Sequence, residues 1–354
     1  MGSVFNYLSP SILNIKPVHL LPSTFLCAAD HLYTLGGIFS PCSTLLSESA
    51  VLGKEGPSEP FGVLSGVKQG CPLSGLLIIM VIDWVMKTTT EEARRGLQWT
   101  LHHPLEDLDY ADDLVLFANT HKQMQDKVNK HVATGARLGL KVNTKKTKVM
   151  RMNHNNNASV TANSEVIEDI KSFTFLGAEV NCTGGSAEDI RARIRKAQGA
   201  FCKLRKIWSD GQLSKHTKLR ILRTNVLSVL LYGCEAWRMT RTDEKKMDTF
   251  LHKCIRRILK IRWPMKITNE ELLQRVRMKR VSEEVKRRRW QWIGHVLRME
   301  PSRHPRIALT WRPQGLRKRG RPKETWRRTT ESERAQLRLT SWDDAGRAAR
   351  DRSV

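Results

Sequence analysis

Between Leu105 and Ala118 the chain reads LEDLDYADDLVLFA, a short polar turn between two apolar runs. Runs of this length on either side of a break fold as the arms of an antiparallel hairpin. Two adjacent carboxylates, Asp112 and Asp113, fall at the turn, which lacks the Asn-Gly or Asp-Gly dipeptide of the commonest tight hairpin loop. Like charges held side by side repel, so a hairpin built around them needs something to offset that cost.

The flanking residues extend the hairpin into a layered unit. Met124, Val128, Val132 and Ala136 recur at helical spacing, with Gly139 placed as the C-cap. LKVNTKKTKVM (140–150) and IKSFTFLGAEV (170–180) follow as strand candidates, the second alternating Phe173, Phe175 and Gly177 against Thr174 and Leu176. Upstream, GPSEPFGVLSGVKQGCPLSG (56–75) is a punctuated loop leading into an apolar stretch, Leu76 to Met86, that reads as a buried helix. Strand, strand, helix, strand, strand with helices on one side is an α+β pattern. Residues 1–55, rich in Pro and Ser and poor in charge, read as irregular.

From Ser186 onward the pattern is helical. Ser186 and Asp189 resemble a capping box with Asp in place of Glu, ahead of a stripe of Ile190, Ile194, Ala197, Phe201 and Leu204 that Gly211 ends. A second helix carries Leu219, Leu222, Val226 and Val229. A third carries Met247, Phe250, Leu251, Cys254, Ile255, Ile258 and Leu259 before Pro264, and a fourth is expected over Glu270 to Arg298. Gly315, Gly320 and Pro322 exclude a long helix through GLRKRGRPKETWRR (315–328), and a short one is expected from about Trp342 to Arg352.

The net charge of +26 over 354 residues points to nucleic acid as the partner of this surface. Of the 61 Lys and Arg, 14 lie in residues 1–150 and 47 beyond; of the 35 Asp and Glu, 13 lie in residues 1–150 and 22 beyond. The basic field therefore belongs to the second half. Seven scattered cysteines without a CxxC pair argue against a disulfide framework or zinc knuckle and fit a reducing compartment, nucleus or cytoplasm rather than secretion. No uninterrupted run of 18 apolar residues suggests a membrane span, and the start, broken by Pro10, Pro17 and Pro22, is a poor signal peptide.

Two carboxylates on a tight turn suit a divalent cation such as Mg²⁺, which prefers hard oxygen ligands and serves phosphoryl transfer in pairs of ions. LDYADDLVLFA (108–118) resembles the catalytic tyrosine-x-aspartate-aspartate hairpin of reverse transcriptases, and LSGVKQGCPLSGLLIIMVIDWVM (64–86) resembles the loop and helix that precede it in those enzymes. The wording is most similar to non-LTR (LINE-type) retrotransposon polymerases. LGLKVNTKKTKVM resembles the lysine-bearing segment after that hairpin and FTFLGAEV the strand pair that grips the primer end, and AFCKLRKIW, VLLYGCEAW, RRWQWIGHVLRM and RGRPKETWRR extend the resemblance over about residues 56–354.

The resemblance implies an incomplete palm at 56–183, a helical thumb at 184–262, and a basic helical region with an Arg-rich tail at 263–354, behind an unmatched segment at 1–55. It implies that Asp112 and Asp113 hold the catalytic metal, Mg²⁺, and that Tyr110 lies beside the primer end. Gln69 and Gly70 would approach the templating base and incoming nucleotide. Phe173, Leu176 and Gly177 would grip the primer. Lys145, Lys146 or Lys148 would protonate the leaving pyrophosphate, with Lys146 taken into the site. RNA template and DNA primer are the implied partners.

Arg191, Arg193, Arg195, Lys196, Lys203, Arg205 and Lys206 recur along the first long helix away from its apolar stripe and read as a phosphate-tracking face, with Arg195, Lys203 and Lys206 taken into the site. Arg288 and Trp292, with Arg319, Arg321 and Trp326 in the tail, combine arginine and indole as single-strand or RNA binding requires, and Trp292 and Trp326 are the tryptophans expected to be exposed. His295 reads as structural. The family's first palm strand carries a further metal-binding aspartate upstream of the Gln-Gly loop, and no such motif precedes residue 56; Asp30 lacks its setting. Gly75 also stands where the family has proline. The expectation is therefore a truncated domain that binds Mg²⁺ weakly or not at all and is catalytically defective alone. The rivals are a non-catalytic nucleic-acid-binding protein and a poorly folding remnant.

Overall fold

Leu114 to Ala118 form an uninterrupted apolar run, and each is exposed by 3% or less. A run of this kind between turn signals is a strand covered on both faces. The computed structural model describes residues 11–15, 17–20, 47–49, 52–53, 56–59, 61–63, 72–91, 96–100, 104–152, 158–311 and 325–351. Helix and strand are mixed in the chain, which divides into two compact units, Ser9–Lys171 and one built on Ser172–Val354.

The first unit holds β1 (Ser11–Ile15), β2 (Pro17–Leu20), β3 (Asp107–Tyr110), β4 (Asp113–Ala118), β5 (Leu140–Val142), β6 (Lys148–Arg151) and β7 (Glu168–Asp169). Five of these form a sheet in the order β7-β6-β1-β4-β3, with β2 and β5 paired in a separate ladder. The expectation that residues 1–55 are irregular gives way here. β1 pairs antiparallel with both β4 and β6, Ile15 opposite Leu114 and Leu13 opposite Val149. Five residues between prolines carry no readable periodicity, and pairing with two buried neighbours makes them a strand.

Helices α1 (Pro72–Thr90) and α2 (His121–Arg137) cover one face of this sheet. Ile82 and Met86 of α1 and Met124 and Val128 of α2 share a core with Leu114, Leu116, Ala118 and Val149. The α2 stripe continues through Lys127, His131 and Thr134, and Ala136, expected on it, is exposed. Thr120 and Gln123 close α2 with a reciprocal capping box, and Gly139 takes φ 73 at its end. By length and composition α1 could cross a membrane, because Thr, Ser and Gly only dilute its apolar residues; an uninterrupted apolar run is the stricter test that it fails.

His131 lies in this core at 5% exposure, with Nδ1 3.5 Å from Thr89 Oγ1, and burial lowers its pKa to about 4. Between pH 6.5 and 4 the unfolded chain binds a proton there that the folded chain does not. Stability present at neutral pH is thus lost as pH falls through this window, by roughly 3 kcal/mol when complete. Hydrogen exchange of α2 measured at pH 7 and pH 4.5 is expected to show this loss in the wild type and a flatter response in His131→Gln.

The second unit opens with a hairpin, β8 (Ser172–Phe175) and β9 (Ala178–Asn181), followed by α3 (Ala187–Lys203), α4 (Arg205–Ser209), α5 (Lys215–Ile221), a π-helical stretch over Leu222–Leu227 and α6 (Ser228–Leu230). Then come α7 (Arg241–Ile258), α8 (Asn269–Val276), α9 (Val281–Arg298), α10 (His304–Thr310), α11 (Trp326–Gln336) and α12 (Trp342–Arg350). Ile190, Ala197 and Phe201 of α3, Leu222, Val226 and Leu230, and Met247, Leu251, Ile255 and Ile258 of α7 fill one core. Cys234 and Cys254 are small apolar members of it, their thiols pushed up to about 12 chiefly by burial.

Three local readings are corrected. IKSFTFLGAEV, a single strand by its alternation, is instead the strand pair that the resemblance implies, because Leu176 (φ 47) and Gly177 (φ 79) turn left-handed and reverse the chain. The expected fourth helix is two, since Arg277 (φ 50) ends α8 and the Met278 N–H reaches back to the Leu273 carbonyl at 3.1 Å. The capping box at Ser186 and Asp189 does not form. Ser186 Oγ accepts instead from Arg238 N at 2.8 Å, and Asp189 accepts from Trp237 Nε1 at 2.7 Å and Glu179 N at 3.1 Å, so tertiary donors take both side chains.

Candidate functional site

Antiparallel register puts Tyr110 opposite Asp113, leaving Ala111 and Asp112 as a two-residue loop. Ala111 takes φ 55, a left-handed conformation that costs a residue with a Cβ about 1 kcal/mol. Tyr110, 66% exposed, and Asp112 stand out at the tip, and Asp113 is half-buried. Directly opposed residues share a face, so Tyr110 and Asp113 lie with Leu108 and Val115, whereas Asp107 and Asp109 lie with Leu114 and Leu116 on the helix side. There burial, with Asp109 adding its charge, pushes Asp107 up to about 6.

The described residues do not complete a metal site. Asp112 and Asp113 offer two carboxylates, and among the described residues no group of three or more His, Cys, Asp or Glu is placed to hold an ion. β4 lies between β3 and β1: the acids of β3, Asp107 and Asp109, are on the face away from Asp113, and β1, with the sequence Ser-Ile-Leu-Asn-Ile, contains no acid. Asp30, Gln69 and Gly70 lie outside the described residues.

Lys146 sits exposed in the turn between β5 and β6, its N–H donating to Asn143 O at 3.1 Å. Lys148 lies in β6 and shares its sheet row with Val115, so of the two it is the one on the Asp113 face; its ammonium pairs with Glu168. Phe173, Leu176 and Gly177 belong to the β8–β9 hairpin of the second unit. That turn is held by Arg193, which donates to Gly177 O and stacks 4.3 Å from the Tyr232 ring centroid, and by Tyr232 Oη, which donates to Leu176 O at 3.0 Å. A Cβ on Gly177 would come within 3.3 Å of both side chains.

Arg195, Lys203 and Lys206 are exposed along α3 and α4. Arg193, which sequence alone places with them on the solvent side, is buried. Trp292 is 44% exposed on α9 and Arg288 is half-buried one turn before it. Trp326 is corrected: it packs half-buried beside Ile293, Val296 and Leu297, and its indole N–H donates to Glu235 O at 3.0 Å. A helix start, at Thr325, turns that indole inward. Arg319 and Arg321 lie outside the described residues. His295, expected to be structural, is exposed beside Trp292, and its spacing of three from that residue is the signal that links them.

Residues 33–180 match the family described as reverse transcriptase (RNA-dependent DNA polymerase), and residues 200–232 match a domain of unknown function. The chain is 27% identical over 217 residues to an uncharacterised transposon-derived protein of Caenorhabditis elegans, covering 59% of this chain and 77% of that protein. It is 25% identical over 219 residues to the retrovirus-related Pol polyprotein of the type-1 retrotransposable element R2 of Bradysia coprophila, covering 58% of this chain and 24% of the polyprotein. For the corresponding type-2 element of Drosophila melanogaster the identity is 26% over 215 residues, 58% of this chain and 19% of the polyprotein. The matched region is thus about a quarter or less of the R2 polyproteins. A telomerase from Candida tropicalis, solved with a fragment of telomeric RNA, superimposes with a TM-score of 0.38 at 16% identity, covering 84% of this chain and 48% of that one.

Proposed function

We propose that this chain, whose residues 33–180 match the reverse transcriptase family and which is 25–26% identical over 215–219 residues to R2 polyproteins, is a nucleic-acid-binding reverse-transcriptase domain of the non-LTR retrotransposon type that does not extend a primer by itself. In this reading residues 56–183, whose sheet β1 joins, correspond to an incomplete palm, the helices over 184–262 to a thumb, and the region from 263 to a basic helical region and tail. RNA template and DNA primer are its partners.

The observation that carries the proposal is β1. It lies directly beside the hairpin strand β4, where a further carboxylate would join Asp112 and Asp113, and brings Ser-Ile-Leu-Asn-Ile instead. Two crowded carboxylates hold a hydrated divalent ion weakly, and one such ion is half of a two-metal centre. Binding does not need that centre. The 47 Lys and Arg beyond residue 150, against 22 acids, supply the phosphate affinity, with Arg195, Lys203 and Lys206 on its exposed face.

Primer extension on poly(rA)·oligo(dT) with Mg²⁺ or Mn²⁺ tests the first half. No extension is expected from the wild type, and extension that Asp112→Ala abolishes would overturn the proposal. Equilibrium binding to mixed-sequence RNA across a salt series tests the second. A steep fall of log affinity with log salt is expected, and a flat one would remove the electrostatic basis.

A further inference from the structure

The outward face of α9 carries Arg288, Gln291, Trp292 and His295 at spacings of three and four, so all four lie on one side of the helix. The opposite side is spent on the core: Val285, Arg289, Ile293, Val296 and Leu297 are buried. The two neighbouring tryptophans of this helix therefore differ. Trp290 stacks on Trp342 with centroids 6.2 Å apart and donates its indole N–H to Glu333 at 3.0 Å. Trp292 is 44% exposed and borders a cleft of about 660 Å³ lined also by Arg288, Gln291, His295 and Glu235. The His295 ring stands 5.6 Å from the Trp292 ring at 42°, so the two rings sit side by side as one aromatic ledge along the cleft. Arg288 gives its Nε–H to Glu284 at 3.1 Å, a bond that fixes the guanidinium at the cleft and uses one of its five donors.

We infer that this cleft takes one unpaired nucleotide of a single strand, its base on Trp292 and His295, its phosphate on Arg288, and its base edge toward Gln291 and Glu235. The volume suits a ligand of nucleotide size. An indole is a stacking platform open to any base, and arginine adds charge without sequence demand. Gln291 and Glu235 add donors and acceptors of the kind that read a base edge, which duplex pairing would hide. The inference rests on the proposal that the chain binds nucleic acid, and adds a site specific for unpaired strands.

Fluorescence anisotropy of labelled 12-residue RNA and DNA oligonucleotides of mixed sequence, single-stranded and as duplexes, tests it on the full chain. Trp292→Ala is expected to weaken single-strand binding about tenfold and to leave duplex binding unchanged. Trp292→Phe should recover most of the loss, His295→Ala should show a smaller one, and Lys203→Ala with Lys206→Ala should instead lower the salt slope for both forms. The RNA and DNA arms tell which strand is preferred, and either preference supports the site. Trp292→Ala binding as the wild type, or losing single strand and duplex equally, overturns the inference while leaving the proposed function intact. Wild-type protein that binds neither form overturns both.

Discussion

Glu333→Ala is expected to destabilise the helical unit by about 3–5 kcal/mol, the cost of breaking a buried ion pair from one side. Arg289 is fully buried and donates one terminal nitrogen to Glu333 Oε1 and the other to Trp237 O at 3.0 Å. Glu333, on α11, also accepts the Trp290 indole N–H at 3.0 Å. Alanine would leave a guanidinium in the core with one carbonyl for a partner and would strand the indole donor as well. The loss is a large share of the 5–15 kcal/mol by which domains are stable. Urea unfolding followed by tryptophan fluorescence measures it. The double variant Arg289→Met/Glu333→Leu should recover most of the loss, since the pair's net worth against apolar packing is small. Glu271→Ala, which removes the surface pair to Arg275, should change stability by less than about 1 kcal/mol. A Glu333→Ala midpoint equal to that of Glu271→Ala would sink this account.

Lys127→Met carries the second large effect, in the other unit. Lys127 is 3% exposed under the hairpin, where its ammonium pairs with Glu106 and donates to Phe117 O at 2.6 Å. Glu106 also accepts the Gly96 N–H at 2.9 Å. Methionine keeps the stem's packing and removes the charge, leaving the Glu106 carboxylate, 13% exposed, beside the buried end of β4 without its cation. A loss of about 3–5 kcal/mol is expected here too. Most of the tryptophans lie in the second unit, so hydrogen exchange over residues 104–152 is the better reporter. Faster exchange in β4 and α2, partly restored by Glu106→Gln, is the expected result. Unchanged protection would mean that the pair contributes nothing to holding α2 against the sheet.

Both pairs were invisible in the sequence for the same reason. Arg289 sits in a run of arginines and Lys127 on a helix of mixed charge, and nothing local tells a buried cation from a solvated one. Their partners lie 44 and 21 residues away along the chain. The same holds at the candidate sites. Arg193 reads as one more phosphate contact beside Arg195 until Gly177 and Tyr232 are brought to it. Trp326 reads as a partner of the tail arginines until the Glu235 carbonyl takes its indole.

What the sequence determined by itself was what short-range periodicity and turn chemistry can encode. The strand pair around Asp112 and Asp113, the α2, α3 and α7 stripes, and the short terminal helix α12 all follow from residues within one or two turns of each other. The paired carboxylates, together with the reverse-transcriptase wording around them, also belong to the sequence. The tertiary structure alone decided which strand lies beside those carboxylates, that Trp326 turns inward while Trp292 stays exposed as its sequence setting suggests, and which basic side chains are spent inside the fold. Those choices rest on pairing and burial between distant segments, and such energies exist only once the chain has brought the segments together.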